Sequence, residues 1–196
     1  MYRLVIVFVA LLVAVGFGSP LLSAGASQSA QWTTLFDGSD LDAFTPIGDA
    51  NWSLGDDAVQ ADSGSGFLVT NESYGDFELK LEFWVDEPAN SGIFIRCADP
   101  QSVNDRNSYE VNIYDTRADQ TYRTGGIVHI APPASVIMTG GQWNSYEILA
   151  RGSRLTVTLN GQPMVDIEDT QFTDGPIALQ YGAGTVKFRN VTIRPL

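Results

Sequence analysis

The stretch Asp76-Phe77-Glu78-Leu79-Lys80-Leu81-Glu82-Phe83-Trp84-Val85 decides the fold class. Phe77, Leu79, Leu81 and Phe83 fall on one phase of a two-residue period, and Glu78, Lys80 and Glu82 on the other. That is the pattern of an extended strand with one side in a core. The same period recurs further along the chain. Ile93 and Ile95 alternate with Phe94 and Arg96, and Val111 and Ile113 alternate with Glu110, Asn112 and Tyr114. Residues 155–159 and 162–166 flank Asn160-Gly161, a pair that tolerates the positive φ angles of a type I′ hairpin. Arg151-Gly152-Ser153-Arg154 marks another tight turn, and residues 185–193 read as a last strand. No ten-residue stretch carries helical periodicity. Many short strands between turn signals predict an all-β protein, a two-sheet antiparallel β-sandwich of the jelly-roll kind.

The 196 residues suit one domain, and no linker, repeat or low-complexity tract divides them after Gln31. With 23 acidic against 11 basic residues, the formal charge is −12. Such a surface repels phosphate backbones and anionic lipid heads, so neither nucleic acid nor membrane is expected as a partner. The lone Cys97 excludes an intramolecular disulfide and a thiolate metal cluster. The lone His129 excludes zinc sites built on several histidines.

The N-terminus reads as an export signal. Arg3 precedes an apolar run over 4–16, then Gly18-Ser19-Pro20 and the small residues Ser23-Ala24-Gly25-Ala26. Cleavage after Ala26 gives a signal peptide over 1–26, a short tail over 27–31 and a domain over 32–196. The run falls short of the ~20 apolar residues of a membrane span. No cysteine near the cut offers a lipid attachment point, so a secreted or periplasmic product is expected.

The polar phase of the strands carries the functional hints. Lys80, Glu82, Trp84, Phe94, Arg96, Glu110, Asn112 and Tyr114 mix carboxylates, cations and rings. Such a face suits a sugar, which presents apolar C–H surface and a rim of hydroxyls, although a solvated sandwich face is the plainer reading. In Tyr109-Glu110-Val111-Asn112-Ile113-Tyr114-Asp115, a bulge after Ile113 would swing Asp115 onto the side of Glu110. Two carboxylates on one sugar can then divide acid and base roles. Arg96 could pair with Glu110 or stabilise an oxyanion, or be an ordinary cross-strand ion pair. His129 is a possible base or a structural residue. Trp84 is the better stacking platform, while Trp32, Trp52 and Trp143 read as packing and Cys97 as a buried hydrophobe. No cofactor is predicted. Acidic loops at Asp37, Asp40 and Asp42 and at Asp56 and Asp57 leave a calcium site open, without ordered spacing.

An ordered series of short motifs carries a resemblance. Leu35-Phe36-Asp37-Gly38 opens it, followed by Tyr74-Gly75-Asp76-Phe77-Glu78-Leu79 and Ala89-Asn90-Ser91-Gly92-Ile93-Phe94-Ile95-Arg96. Next come the Tyr109–Asp115 motif quoted above, Thr124-Gly125-Gly126-Ile127, Trp143-Asn144-Ser145-Tyr146, Gly175-Pro176-Ile177-Ala178-Leu179-Gln180 and Phe188-Arg189-Asn190-Val191. The series resembles the 3-keto-disaccharide hydrolase domain family, a branch of the concanavalin A-like lectin/glucanase sandwiches, over about residues 32–196. The resemblance implies action on oxidised glycosides. A ketone at C3 acidifies the C2 hydrogen, so a base can remove it and expel the C1 oxygen before water adds. The motif match marks Arg96, Glu110 and Asp115 as positions. On this chemistry Glu110 or His129 would be base, Asp115 acid, and Arg96 or Lys80 the enolate stabiliser. Asn112 stands where the family usually has Gln, and Val128 where an aromatic is common. A non-catalytic carbohydrate-binding module of the same fold is the alternative.

Overall fold

The computed structural model describes Met1 and residues 31–196, so the expected leader over 1–26 lies, apart from Met1, outside the described residues. Thirteen strands follow one another: β1 (Thr33–Phe36), β2 (Phe44–Gly48), β3 (Ser53–Gly55), β4 (Ala58–Ala61), β5 (Gly66–Thr70), β6 (Phe77–Val85) and β7 (Ser91–Ile95). Then come β8 (Tyr109–Ile113), β9 (Trp143–Arg151), β10 (Arg154–Leu159), β11 (Gln162–Glu168), β12 (Ala178–Tyr181) and β13 (Val186–Pro195). Among the described residues the only helical turn is a 3₁₀ turn at Gln120–Tyr122, where Asp119 Oδ1 accepts from Thr121 N–H at 3.0 Å.

The first sheet runs β11-β10-β9-β6-β13-β4-β3, with β1 also on β13. β13 holds β4 along its first half and β1 along its second. The second sheet runs β2-β5-β12-β7-β8. All strand pairs are antiparallel. The period read in the sequence now has its cause. Phe77, Leu79, Leu81, Phe83 and Val85 of β6 meet Ile93, Ile95, Tyr109, Val111 and Ile113 of the second sheet in one core. Tyr146 stacks on Phe83 with centroids 4.9 Å apart, and its O–H donates to Asn112 O at 2.7 Å, so the buried phenol is satisfied while it ties the sheets together.

The expected hairpin is present. Leu159 faces Gln162, and Asn160 and Gly161 take φ of 52° and 77°, the angles that a type I′ turn demands. The sheet margins are broken up. β11 carries Pro163 beside a register shift, β2 carries Pro46, and β3 is three residues long. The free side of β8 is covered by 124–128, where Asn112 N–H donates to Gly126 O and Val128 N–H to Glu110 O, both at 3.0 Å. The second sheet also carries a small apolar cluster on its outward side. Val69, Phe94, Cys97, Val103 and Ala178 form it, with Ile47 and Phe67 at its margin.

Candidate functional site

Alternation along β7 and β8 turns Phe94, Glu110 and Asn112 away from the core, onto the outward face of the second sheet. Glu110 faces Phe94 across the ladder, and Asn112 faces Gly92. Gly92 is what lets Glu110 lie where it does: a Cβ at position 92 would sit 3.2 Å from both its Cγ and its Oε1. The carboxyl leans over that missing side chain. Glu110 is 6% exposed, and its carboxylate has no hydrogen-bond partner among the described residues. Burial, reinforced by the negative charge of Asp105 and partly opposed by Arg117, pushes its pKa up to about 7. Near neutral pH this group is divided between acid and base forms, the state that suits proton transfer.

Two amides share its face. Asn112 is fully buried and donates its Nδ2–H to Tyr122 O at 2.5 Å, which leaves Oδ1 buried without a partner. Gln180 Oε1 is buried and unpartnered too. Ala178 and Leu179 pair with Phe94 and Ile93, so Gln180 stands on the next rung, beside Gly92. Phe94 packs edge-on against Phe67 at 5.3 Å. Tyr114, half-buried, follows β8 and donates its N–H to Thr124 Oγ1 at 2.8 Å. His129 sits one residue past Val128, the backbone neighbour of Glu110. With φ of 64°, its Nε2 lies 2.9 Å from Asp105 Oδ2 and its ring lies 5.8 Å from that of Tyr122.

Two expected partners of Glu110 are engaged elsewhere. Asp115 does not swing onto the outward face. It is buried, with Oδ1 accepting from Thr124 Oγ1 (2.6 Å) and Thr139 Oγ1 (3.1 Å), and Oδ2 from the N–H groups of Thr139 (2.6 Å) and Gly140 (3.1 Å). With four donors on two oxygens, it anchors the 139–140 segment and is not available as an acid. Arg96 is 1% exposed and takes φ of 53° as β7 ends. Its guanidinium donates to Gly75 O (3.0 Å), Gly152 O (2.9 Å) and Phe172 O (3.1 Å) and reaches Asp76 Oδ1 at 3.3 Å. It ties three loops together and does not pair with Glu110.

Lys80, Glu82 and Trp84 are not part of this face either. They belong to β6, in the other sheet, and point away from the opposite side of the sandwich. There Lys80 pairs with Glu147 at 2.9 Å, Arg189 Nε donates to Glu82 at 2.7 Å, and the Lys187 ammonium lies 5.3 Å over Trp84. The expected single hollow is therefore two separate surfaces. Alternation fixes which side of a strand faces the core, not which sheet the strand joins. Trp143 and Trp32, read as packing, also lie on that first-sheet surface, under Arg189 (4.0 Å) and Arg194 (5.0 Å). Gly92, Gln180 and Asp105 are the site residues that the sequence reading passed over. For Gln180 a signal existed, its polar position after Ala178-Leu179.

Among the described residues no three or more His, Cys, Asp or Glu side chains gather as a metal-holding set. Asp37 Oδ1 accepts from Ser39 N–H and Asp40 Oδ1 from Asp42 N–H, so both carboxylates cap their own turns.

A family model described as 3-keto-alpha-glucoside-1,2-lyase-like domain matches residues 31–194. Two solved structures of candidate glycosyl hydrolases from Parabacteroides distasonis are similar to this chain. One is 26% identical with a TM-score of 0.72, covering 85% of this chain and 100% of the other. The second is 20% identical with a TM-score of 0.76, covering 84% and 94%. The carbohydrate-binding module CBM66 from Bacillus subtilis shares the fold at 19% identity and a TM-score of 0.60, covering 85% and 97%. No curated protein matches the sequence.

Proposed function

The chain belongs to the 3-keto-alpha-glucoside-1,2-lyase-like domain family, and from that premise we propose that it cleaves 3-keto-glycosides, with Glu110 as the group that moves the C2 proton. The observation that carries this reading is the Glu110 carboxyl, buried over Gly92 without a partner and brought to a pKa of about 7. The ionised carboxylate takes the hydrogen from C2. The C–H electron pair forms a C2–C3 double bond as the ketone electrons move onto the C3 oxygen. The ketone then re-forms, the pair shifts to a C1–C2 double bond, and the C1–O bond breaks with its electrons on the departing oxygen, which takes a proton from solvent. Addition of water across the double bond then completes a net hydrolysis. Charge that builds on the C3 oxygen needs a hydrogen-bond donor, and the Gln180 amide on the same face supplies one. The unpartnered amide oxygens of Asn112 and Gln180 on this face suit a substrate rich in hydroxyl donors.

A second reading is sugar binding without chemistry. It is favoured by the engagement of Asp115 and Arg96 elsewhere, which leaves Glu110 without the acid and cation that the sequence had paired with it. A 3-keto-glucoside with a chromogenic leaving group separates the two. Release by the wild type, lost in Glu110→Gln, supports cleavage. Absence of release, with sugar binding that survives the substitution, supports the module. Removal of the leader after Ala26 would deliver the domain to the periplasm or medium, and N-terminal sequencing of exported protein tests that location.

A further inference from the structure

A concavity lies on the outward face of the second sheet, away from Glu110. Its volume is about 600 Å³, within the range of small-ligand sites. Ile47, Val69, Pro100, Phe172 and Pro176 give it apolar surface, and Thr45, Asn71, Ser73, Gln101 and Thr173 give it hydroxyls and amides. Asp174 is the one charged lining residue, and no cation lines it. Val69, Ala178, Phe94 and Glu110 occupy successive strands of one ladder row, so three steps of ~4.8 Å separate the floor of the cavity from the carboxyl. Phe94 and Val103 stand in the buried cluster between them. One sugar ring cannot serve both places.

The wall of this cavity is an irregular segment, 169–176, pinned from below by core groups that the proposed chemistry does not use. Arg96 donates to Phe172 O, and Tyr109 O–H donates to Asp169 Oδ1 at 2.6 Å while accepting from Phe172 N–H at 3.1 Å. The Tyr109 ring meets Phe172 edge-on at 5.0 Å. Tyr74 and Gly175 exchange backbone hydrogen bonds, and Cys97 N–H donates to Pro176 O at 3.1 Å. Two large polar side chains are thus buried to hold one surface loop in one shape. Such pre-organisation lowers the entropy lost when a ligand binds.

We infer that this cavity is a second carbohydrate site, which takes a neutral glycosyl ring with its C–H face on the apolar surface and its hydroxyls on the amide and hydroxyl rim. The ring is either a distal unit of the substrate or part of a separate glycan. The inference does not depend on Glu110 acting as a base. The test uses the full domain carrying Glu110→Gln, so that nothing turns over, titrated with cellotriose and maltotriose and followed by amide chemical shifts. Shifts are expected at the non-proline residues of 45–47, 69–73, 97–101 and 171–176. The exposed-rim substitutions Gln101→Trp and Ser73→Trp, each with an unchanged circular dichroism spectrum, should weaken binding at least tenfold. Trigalacturonate, which would meet Asp174 and no cation, should not shift these resonances. With Glu110 intact, loss of kcat/KM in Gln101→Trp for a 3-keto-trisaccharide but not a 3-keto-monoglucoside assigns the ring to the substrate. Lost trisaccharide binding with both rates unchanged assigns it to a separate glycan. Absence of shifts at these residues with either neutral trisaccharide, binding indifferent to both tryptophans, or equal binding of trigalacturonate overturns the assignment.

Discussion

Replacing Glu110 by Gln should make the folded protein more stable at alkaline pH and leave it nearly unchanged in acid. The carboxyl has an ordinary pKa near 4.5, raised to about 7 in the fold, chiefly by burial. Below pH 4.5 both the folded and unfolded chains hold the proton, and burial costs little. Between 4.5 and 7 the unfolded chain releases it while the folded one retains it, so stability falls as pH rises. Above 7 both are ionised and the whole cost is present. Linkage over this shift gives roughly 3 kcal/mol at pH 8 and under about 1 kcal/mol at pH 5. Glutamine is uncharged throughout and escapes the cost. For a domain of this size the gain at pH 8 corresponds to a rise in Tm of about 2–4 °C per kcal/mol. Urea unfolding of both proteins at pH 5 and pH 8 measures it. A stability difference independent of pH, or a variant less stable at pH 8, would show that the carboxyl is not held in the strained ionised state described above.

Other outcomes follow from the same geometry. Gly92→Ala places a Cβ 3.2 Å from the Glu110 Cγ and Oε1, so the carboxyl must move. kcat/KM should fall tenfold or more while Tm shifts by only a few degrees, read by rates and calorimetry in parallel. Asp115→Asn replaces one acceptor oxygen by an N–H₂ facing the donors of Thr124, Thr139 and Gly140, and should cost about 3 kcal/mol of stability in urea unfolding. Its kcat per folded molecule should match the wild type, in contrast to Glu110→Gln. The pH profile of kcat/KM should rise through a pKa of about 7, and any residual rate in Glu110→Gln should lack that limb.

The strand at 76–85 announced the sandwich because burial selects one phase of a period that the backbone imposes, and both are local properties. Asn160-Gly161 fixed its hairpin for the same reason. Glu110 and Asn112 were legible as a pair because two-residue spacing puts them on one side of one strand. What was not legible depended on partners distant in the chain. Lys80 and Glu110 carry the same kind of pattern, yet β6 pairs with β9 and β13 whereas β8 pairs with β7, and nothing within either segment states that. Arg96 looked like a reagent because its phase continues that of Phe94. Its positive φ and the carbonyls of Gly75, Gly152 and Phe172 turn it instead into a brace. Asp115 looked like a second acid until Thr139 and Gly140, more than twenty residues on, claimed its oxygens.

The treatment of the outermost strands has a consequence for the life of the protein in solution. An unpaired strand offers a row of amide and carbonyl groups on which another chain can template itself into a fibril. Pro46 removes a donor from β2, Pro163 with the shifted register beside it interrupts β11, and the 124–128 segment occupies the side of β8. A protein of net charge −12 that also denies its neighbours a ladder to extend is built to stay dispersed at high concentration.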